Sequence, residues 1–178
     1  MKSKVFLFCI LFSFISLSSA IAQFSWAQLG VNGLTCSACS RSVEMSIRKL
    51  SFVDSVIMNL ENTAGKIVFK KGAKVEIEKI AKAVTDAGFS VRSLYAGISI
   101  ESISVTNDYC WNFENNTYHF IKITESKELK GTVSLKFIGD KYMPRNEYKE
   151  WKTYITNPCV SPANTAVPSS KTYYVSLL

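Results

Sequence analysis

The sequence predicts an α+β protein in two parts. Residues 24–96 form a βαββαβ unit, and residues 97–178 form a small, mainly antiparallel β unit with one helix. Three observations lead there. Apolar residues alternate in several short segments, as half-buried strands require. They recur at helical spacing in two other segments, as helices with one buried face require. Beyond residue 96 this regular succession gives way to short runs rich in aromatic residues.

Ala27, Leu29 and Val31 alternate along a first strand, which Gly33 ends. From Ser37 the spacing changes, and Val43, Ile47 and Leu50 share one helical face. Val56, Met58 and Leu60 return to a period of two. Glu61-Asn62-Thr63-Ala64-Gly65 reads as a turn, with Ile67 and Phe69 on the second arm of a hairpin. Val75, Ile77, Ile80, Val84 and Ala87 form a second amphipathic helix, closed by Gly88. Phe89 and Val91 begin a last strand. Two helices on one face of four strands make the split βαβ, ferredoxin-like arrangement.

In the second part, Ile98 and Ile100 alternate with Ser99 and Glu101 as a strand. Tyr118 to Thr124 and Thr132 to Ile138 read as two more, joined by a turn over residues 125–131. Pro144 can open a helix at its first position, with Tyr148, Trp151 and Ile155 on one face. Asn157 to Lys171 reads as a loop rich in Pro, Ser and Asn, and Tyr173 to Leu177 as a closing strand.

Composition narrows the function. The chain has 178 residues, 47% of them hydrophobic, which excludes generic disorder. Its 21 Lys and Arg exceed its 14 Asp and Glu, for a charge of +7. No dense basic cluster accompanies that charge, so nucleic acid is not expected as a partner. The N-terminus carries Lys2 and Lys4, an apolar run from Val5 to Leu17, and the small-x-small site Ala20-Ile21-Ala22. Residues 1–22 are therefore expected to be a secretory signal peptide, cleaved after Ala22 and removing Cys9. An uncleaved anchor is the alternative. The expected location is periplasmic or secreted, with peripheral or no membrane contact. Cys36, Cys39, Cys110 and Cys159 then remain, in a compartment where thiols oxidise.

The chemistry concentrates in Gly33-Leu34-Thr35-Cys36-Ser37-Ala38-Cys39. Two thiols three positions apart converge when the first sits in a loop and the second in the first turn of a helix. Such a pair suits a soft ion: Cu(I), Hg(II) or, with further ligands, Zn(II). The helix N-terminus favours thiolate over thiol, and Arg41 adds to this in sign. Gly33 allows the sharp turn before the ligand loop, and Leu34 is an apolar foot for it. The same spacing also occurs in redox dithiols and inert disulfides.

This motif, between a strand and a helix, resembles that of the heavy-metal-associated domain, together with the hairpin from Val56 to Phe69 and Ala87-Gly88-Phe89-Ser90-Val91. The resemblance covers about residues 24–96 and includes copper chaperones, copper-transporting ATPases and the periplasmic mercury-binding protein. Leu34 stands where the family usually has Met, a change of similar volume. The resemblance implies Cys36 and Cys39 as metal ligands, with Phe89 in the loop that approaches them. It also implies Cu(I) as the first choice of metal, with Thr35 typical of the copper and mercury versions. The partner it implies is a metal-transporting ATPase or another metal acceptor, reached by thiolate ligand exchange rather than by enzymatic catalysis. Two such loops sharing one ion in a dimer are also compatible with it. Other readings of the same residues are a thiol–disulfide oxidoreductase and a metal-responsive interaction module.

Cys110 and Cys159 are expected to form a disulfide. The alternative adds them, with His119, to a larger metal site. His119 lies in a strand beside Ile121 and Ile123 and reads as a structural or surface residue, and Met58 as a packing residue. Residues 24–96 carry ten basic and six acidic side chains, against nine and eight in residues 97–178, so the first part holds most of the excess charge.

Overall fold

A computed structural model of the chain describes residues 23–157 and 171–177. The expected signal peptide, Cys9 and Cys159 lie outside the described residues. Strand β1 (Gln23–Asn32) leads to helix α1 (Ser37–Arg48), then β2 (Val53–Asn59), β3 (Ala64–Phe69), α2 (Ile77–Asp86) and β4 (Ser90–Val105). There follow β5 (Cys110–Phe113), β6 (Asn116–Phe120), β7 (Lys127–Ile138), α3 (Arg145–Lys152) and β8 (Lys171–Leu177). Among the described residues, one eight-stranded sheet contains every strand, in the order β2-β3-β1-β4-β7-β8-β6-β5. Among these described strands, only β6 and β8 pair in parallel. The α+β class and the ferredoxin-like βαββαβ order are as the periodicities require.

The first four strands pair antiparallel, with β1 between β3 and β4. Ala27, Leu29 and Val31 are buried while Gln28 is exposed, so β1 turns one face to the helices. Ser40, Val43 and Ile47 form the buried stripe of α1; Ile77, Ile80, Ala81 and Val84 form that of α2. The Ser46 hydroxyl donates to Ala83 O at 2.8 Å and ties the two helices together. Gly88, at φ +87°, ends α2 in the left-handed conformation that glycine adopts without steric cost.

Residue 96, expected to end the first part, falls inside β4. Leu94, Ala96, Ile98 and Ile100 are all buried, so one alternation stays in phase across that position. The strand expected near Ile98 is the continuation of β4. Antiparallel pairing with β7 then runs from Tyr95↔Lys136 to Val105↔Lys127. The turn expected over residues 125–131 is mostly strand, because β7 begins at Lys127 and carries Gly131 opposite Ile100. The strand expected over Tyr118–Thr124 ends at Phe120. The short β5 was not anticipated. A two-residue turn joins it to β6, with Glu114 and Asn115 at φ +48° and +60°, the geometry of a tight hairpin.

Most buried apolar residues of both parts form one cluster. Phe24 of β1 lies 6.0 Å from Phe113, 5.9 Å from Tyr118 and 6.3 Å from Phe137, ring centre to ring centre. A smaller cluster of Ile121, Ile138 and Met143 lies beneath Tyr148 and Trp151 of α3. Lys122 places its ammonium over both Trp151 and Tyr154, at 4.8 and 4.7 Å, which fastens the end of α3 by cation–π attraction. No helix among the described residues is long and apolar enough to cross a membrane.

Candidate metal centre

The CxxC loop leaves the C-terminal end of β1. Gly33 has φ +86°, and a Cβ there would lie 3.6 Å from the Phe89 ring, so Phe89 packs alongside the base of the loop. Phe89 is held there because its N–H donates to Val84 O at 3.1 Å, just after Gly88. Register puts the same segment beside β1, with Asn32 opposite Ser90. Leu34 is 4% exposed, so the expected foot is in place in the core. Thr35 and Cys36 are exposed, and Cys39 is half-buried against the core.

Cys36 is the N-cap of α1. Its sulfur accepts the Cys39 N–H at 3.2 Å, in the place a Ser or Asp oxygen often takes. The first turn of α1 contains no acidic residue. A thiolate at Cys36 would therefore have an oriented N–H, the positive end of a helix dipole and no nearby carboxylate in that turn, all of which favour the charged sulfur. Cys36 and Cys39 are joined as a disulfide, with Cα atoms 5.2 Å apart. The two sulfurs thus converge at one exposed corner. Reduced, they offer two soft donors and room for a third from outside, a donor set that fits a soft monovalent or divalent ion.

Two residues that periodicity did not single out lie at this end of the domain. Ser40 follows Cys39, is 8% exposed, and its hydroxyl has no hydrogen-bond partner among the described residues. Its position three before Val43 and seven before Ile47 is the signal that it faces inward. Arg92 donates to Asn62 O at 2.7 Å and steadies the β2–β3 turn, whose Thr63 O accepts the Val31 N–H at 2.9 Å. Nothing in its spacing announces that role.

The remaining candidates lie elsewhere. His119 is 2% exposed, with Nε2 3.2 Å from Asp108 Oδ1. Asp108 also accepts from Asn107 and Asn157, at 3.0 and 2.9 Å, which makes it a buried polar node fastening the residues after α3. Cys110 is disulfide-bonded and stands opposite His119 in the β5–β6 pair. No group of three or more metal-ligating side chains occurs among the described residues. Met58 packs against the core, whereas Met45 is 47% exposed.

The family described as "Heavy-metal-associated domain" matches residues 28–90. The mercuric transport protein periplasmic component of Serratia marcescens is 33% identical over 84 residues, covering 44% of this chain and 90% of that protein. Copper-transporting ATPase 1 of Rhizobium meliloti (strain 1021) is 35% identical over 69 residues, covering 39% of this chain and 8% of the ATPase. The chain thus spans under a tenth of the copper ATPases it matches, and 6% of the probable copper-transporting ATPase HMA5 of Arabidopsis thaliana. Among solved structures, a CopZ metallochaperone is 30% identical, covering 38% of this chain and 98% of that one, with a TM-score of 0.35. With a relative one third identical and covered over nine tenths of its length, the chain belongs to the heavy-metal-associated domain family.

Proposed function

We propose that this protein carries a soft metal ion, Cu(I) in the first place, outside the cytoplasm and passes it to an acceptor protein. The observation that carries the proposal is the convergence of Cys36 and Cys39 at an exposed helix N-terminus. Opening their disulfide takes two electrons and two protons from a dithiol donor. The ion then displaces the protons and is held by two sulfurs. An acceptor thiolate adds as a third ligand, one cysteine leaves, and the ion crosses without release to water. A saturated tetrahedral site would impede that exchange. Leu34 anchors the loop, and the Phe89 ring shields its base. The expected acceptor is a metal-transporting ATPase or another thiol-bearing carrier, and the charged and apolar pattern of residues 2–22, expected to be a signal peptide, supports the location.

The test is titration of the reduced protein with Cu(I) against a competing chelator, and in parallel with Hg(II). Tight one-to-one binding is expected, lost in the Cys36→Ser/Cys39→Ser variant. Unchanged affinity in that variant sinks the assignment, and preference for Hg(II) over Cu(I) overturns the choice of metal.

The disulfide itself favours a second reading, a thiol–disulfide oxidoreductase using the same pair. Turnover of a model disulfide by the reduced protein, without metal, would support it. Tight metal binding with no turnover would exclude it.

A further inference from the structure

The face of β1–β4 turned away from α1 and α2 holds a second surface. Cross-strand register arranges it in rows. Ile57, Lys66, Gln28 and Tyr95 stand side by side across β2, β3, β1 and β4, and Ser55, Val68, Trp26 and Gly97 form the next row. A groove of about 520 Å³ lies over them, with Trp26, Ile57, Lys66, Asn62 and Arg92 among its walls.

The floor is apolar. Ile57 is 67% exposed, more than any other large hydrophobic residue among those described. Trp26 lies across β4 over Gly97, where any Cβ would collide with the indole. The strand has no side chain at that position, and an aromatic ring lies half-exposed there instead. The rim is cationic. Neither Lys66 nor Arg92 forms an ion pair among the described residues. No Asp or Glu among the described residues lines the groove. An exposed apolar patch edged by one sign of charge marks an interaction site.

We propose that this groove docks an extended peptide segment of a partner protein, in which a bulky apolar side chain is flanked by carboxylates. The apolar side chain settles between Ile57 and Trp26, and the carboxylates meet Lys66 and Arg92. An extended segment suits the rows, because alternate side chains of a strand point the same way. The Asn62–Arg92 end of the groove lies at the same end of the sheet as the Cys36 loop, since Val31 and Thr63 are hydrogen-bonded there. A partner so docked is held near the thiols while Cys36 and Cys39 stay uncovered. The proposal rests on register, exposure and charge, and stands whether or not the thiols carry metal.

Fluorescence anisotropy with the whole protein and a labelled peptide of alternating Asp/Glu and Phe/Leu tests it. Saturable binding is expected, weakened roughly tenfold or more by Ile57→Glu and by Lys66→Glu, and unchanged in Cys36→Ser/Cys39→Ser. Both weakened variants alter exposed side chains, and circular dichroism checks that each remains folded. The proposal is overturned by absence of saturable binding, or by equal affinity for the Ile57→Glu variant. Equal affinity for a peptide with Lys in place of Asp/Glu, or for polyaspartate, also overturns it. Tighter binding of a single-stranded oligonucleotide makes the groove a general anion surface and overturns it too.

Discussion

Replacing Phe24 by Ala tests whether the two parts of the chain share one core. Phe24 belongs to a central strand of the βαββαβ unit and is 1% exposed. Yet the rings it meets, Phe113, Tyr118 and Phe137, come from β5, β6 and β7. Removing a fully buried aromatic ring costs about 3–5 kcal/mol, made up of lost transfer energy and the cavity left behind. Against a total stability of about 5–15 kcal/mol, that is a large fraction. Urea unfolding is to be followed by circular dichroism and by tryptophan fluorescence, because Trp26 reports the first part and Trp111 and Trp151 the second. One transition is expected by both probes, in the parent and in the variant, with a lower midpoint and an unchanged slope in the variant. Two separated transitions in the parent, or a loss below about 1 kcal/mol in Phe24→Ala, would refute a shared core.

Three further outcomes follow from side chains. Lys171 beside Glu78, assisted by Lys141, holds the Glu78 carboxyl below its ordinary range despite some burial. A depressed folded pKa stabilises above the unfolded carboxylate range and ceases to do so as pH falls through the folded value. Lys171→Met should therefore lower the melting temperature near neutral pH and have a vanishing effect in acid; an equal effect at all pH values contradicts the pairing. Burial pushes Tyr173 up to about 12, with Glu78 and Glu76 adding to the rise, and pushes Tyr118 and Tyr142 further in the same direction. Stability from these rings is complete below the unfolded tyrosine value near pH 10 and declines above it. Tyrosinate absorbance should consequently appear together with alkaline unfolding, and ionisation near pH 10 in a folded protein would count against their burial. For the disulfides, a non-reducing peptide map should join Cys36 to Cys39 and Cys110 to Cys159, the latter closing a loop of about 50 residues worth roughly 4 kcal/mol; Cys110 linked to any other cysteine ends that expectation.

The βαββαβ frame was legible because each element buries one face only. Ala27, Leu29 and Val31 are interior while Gln28 is exposed, and Val43 and Ile47 are interior while Arg41 and Met45 are exposed. The thiol corner was legible because it needs a glycine turn, an apolar foot and a helix start in immediate succession. The continuity of β4 was not. Periodicity shows that a face is covered but not by what, and Ile98 and Ile100 are covered without α1 and α2 ending the strand. Gly131 reads as a turn residue, yet its pairing with Ile100 keeps it in β7 at φ +77°. Long-range pairing overrides local preference there. The hairpin after Phe113 bends at Glu114-Asn115, which lacks the Asn-Gly or Asp-Gly signature of such turns. The oxidation state of Cys36 and Cys39 could not be read either, because one geometry serves both a disulfide and a pair of metal ligands.

The second part also decides which sides of the metal-binding unit a partner can reach. In the order β2-β3-β1-β4 alone, β4 would be an open edge; here β7 pairs along it and closes it. The outer side of α2 is spanned as well, since Glu78 is bridged by Lys171 and Lys141 across a cleft of about 810 Å³. At the opposite edge, Arg48 donates to Val56 O at 2.8 Å, occupying one of the carbonyls that an added strand would need. Among the described residues, what stays open is the exposed side of α1 with Arg41 and Met45, the thiol corner, and the groove on the back of the sheet. Under the proposed function the exposed side of α1 is the approach beside the thiols by which an acceptor's thiolate is expected to arrive. Met45→Glu should slow ion transfer to an acceptor without changing the affinity for the ion itself. Transfer at the parental rate in that variant, measured by stopped-flow mixing with a thiol-bearing acceptor, would show that the approach lies elsewhere.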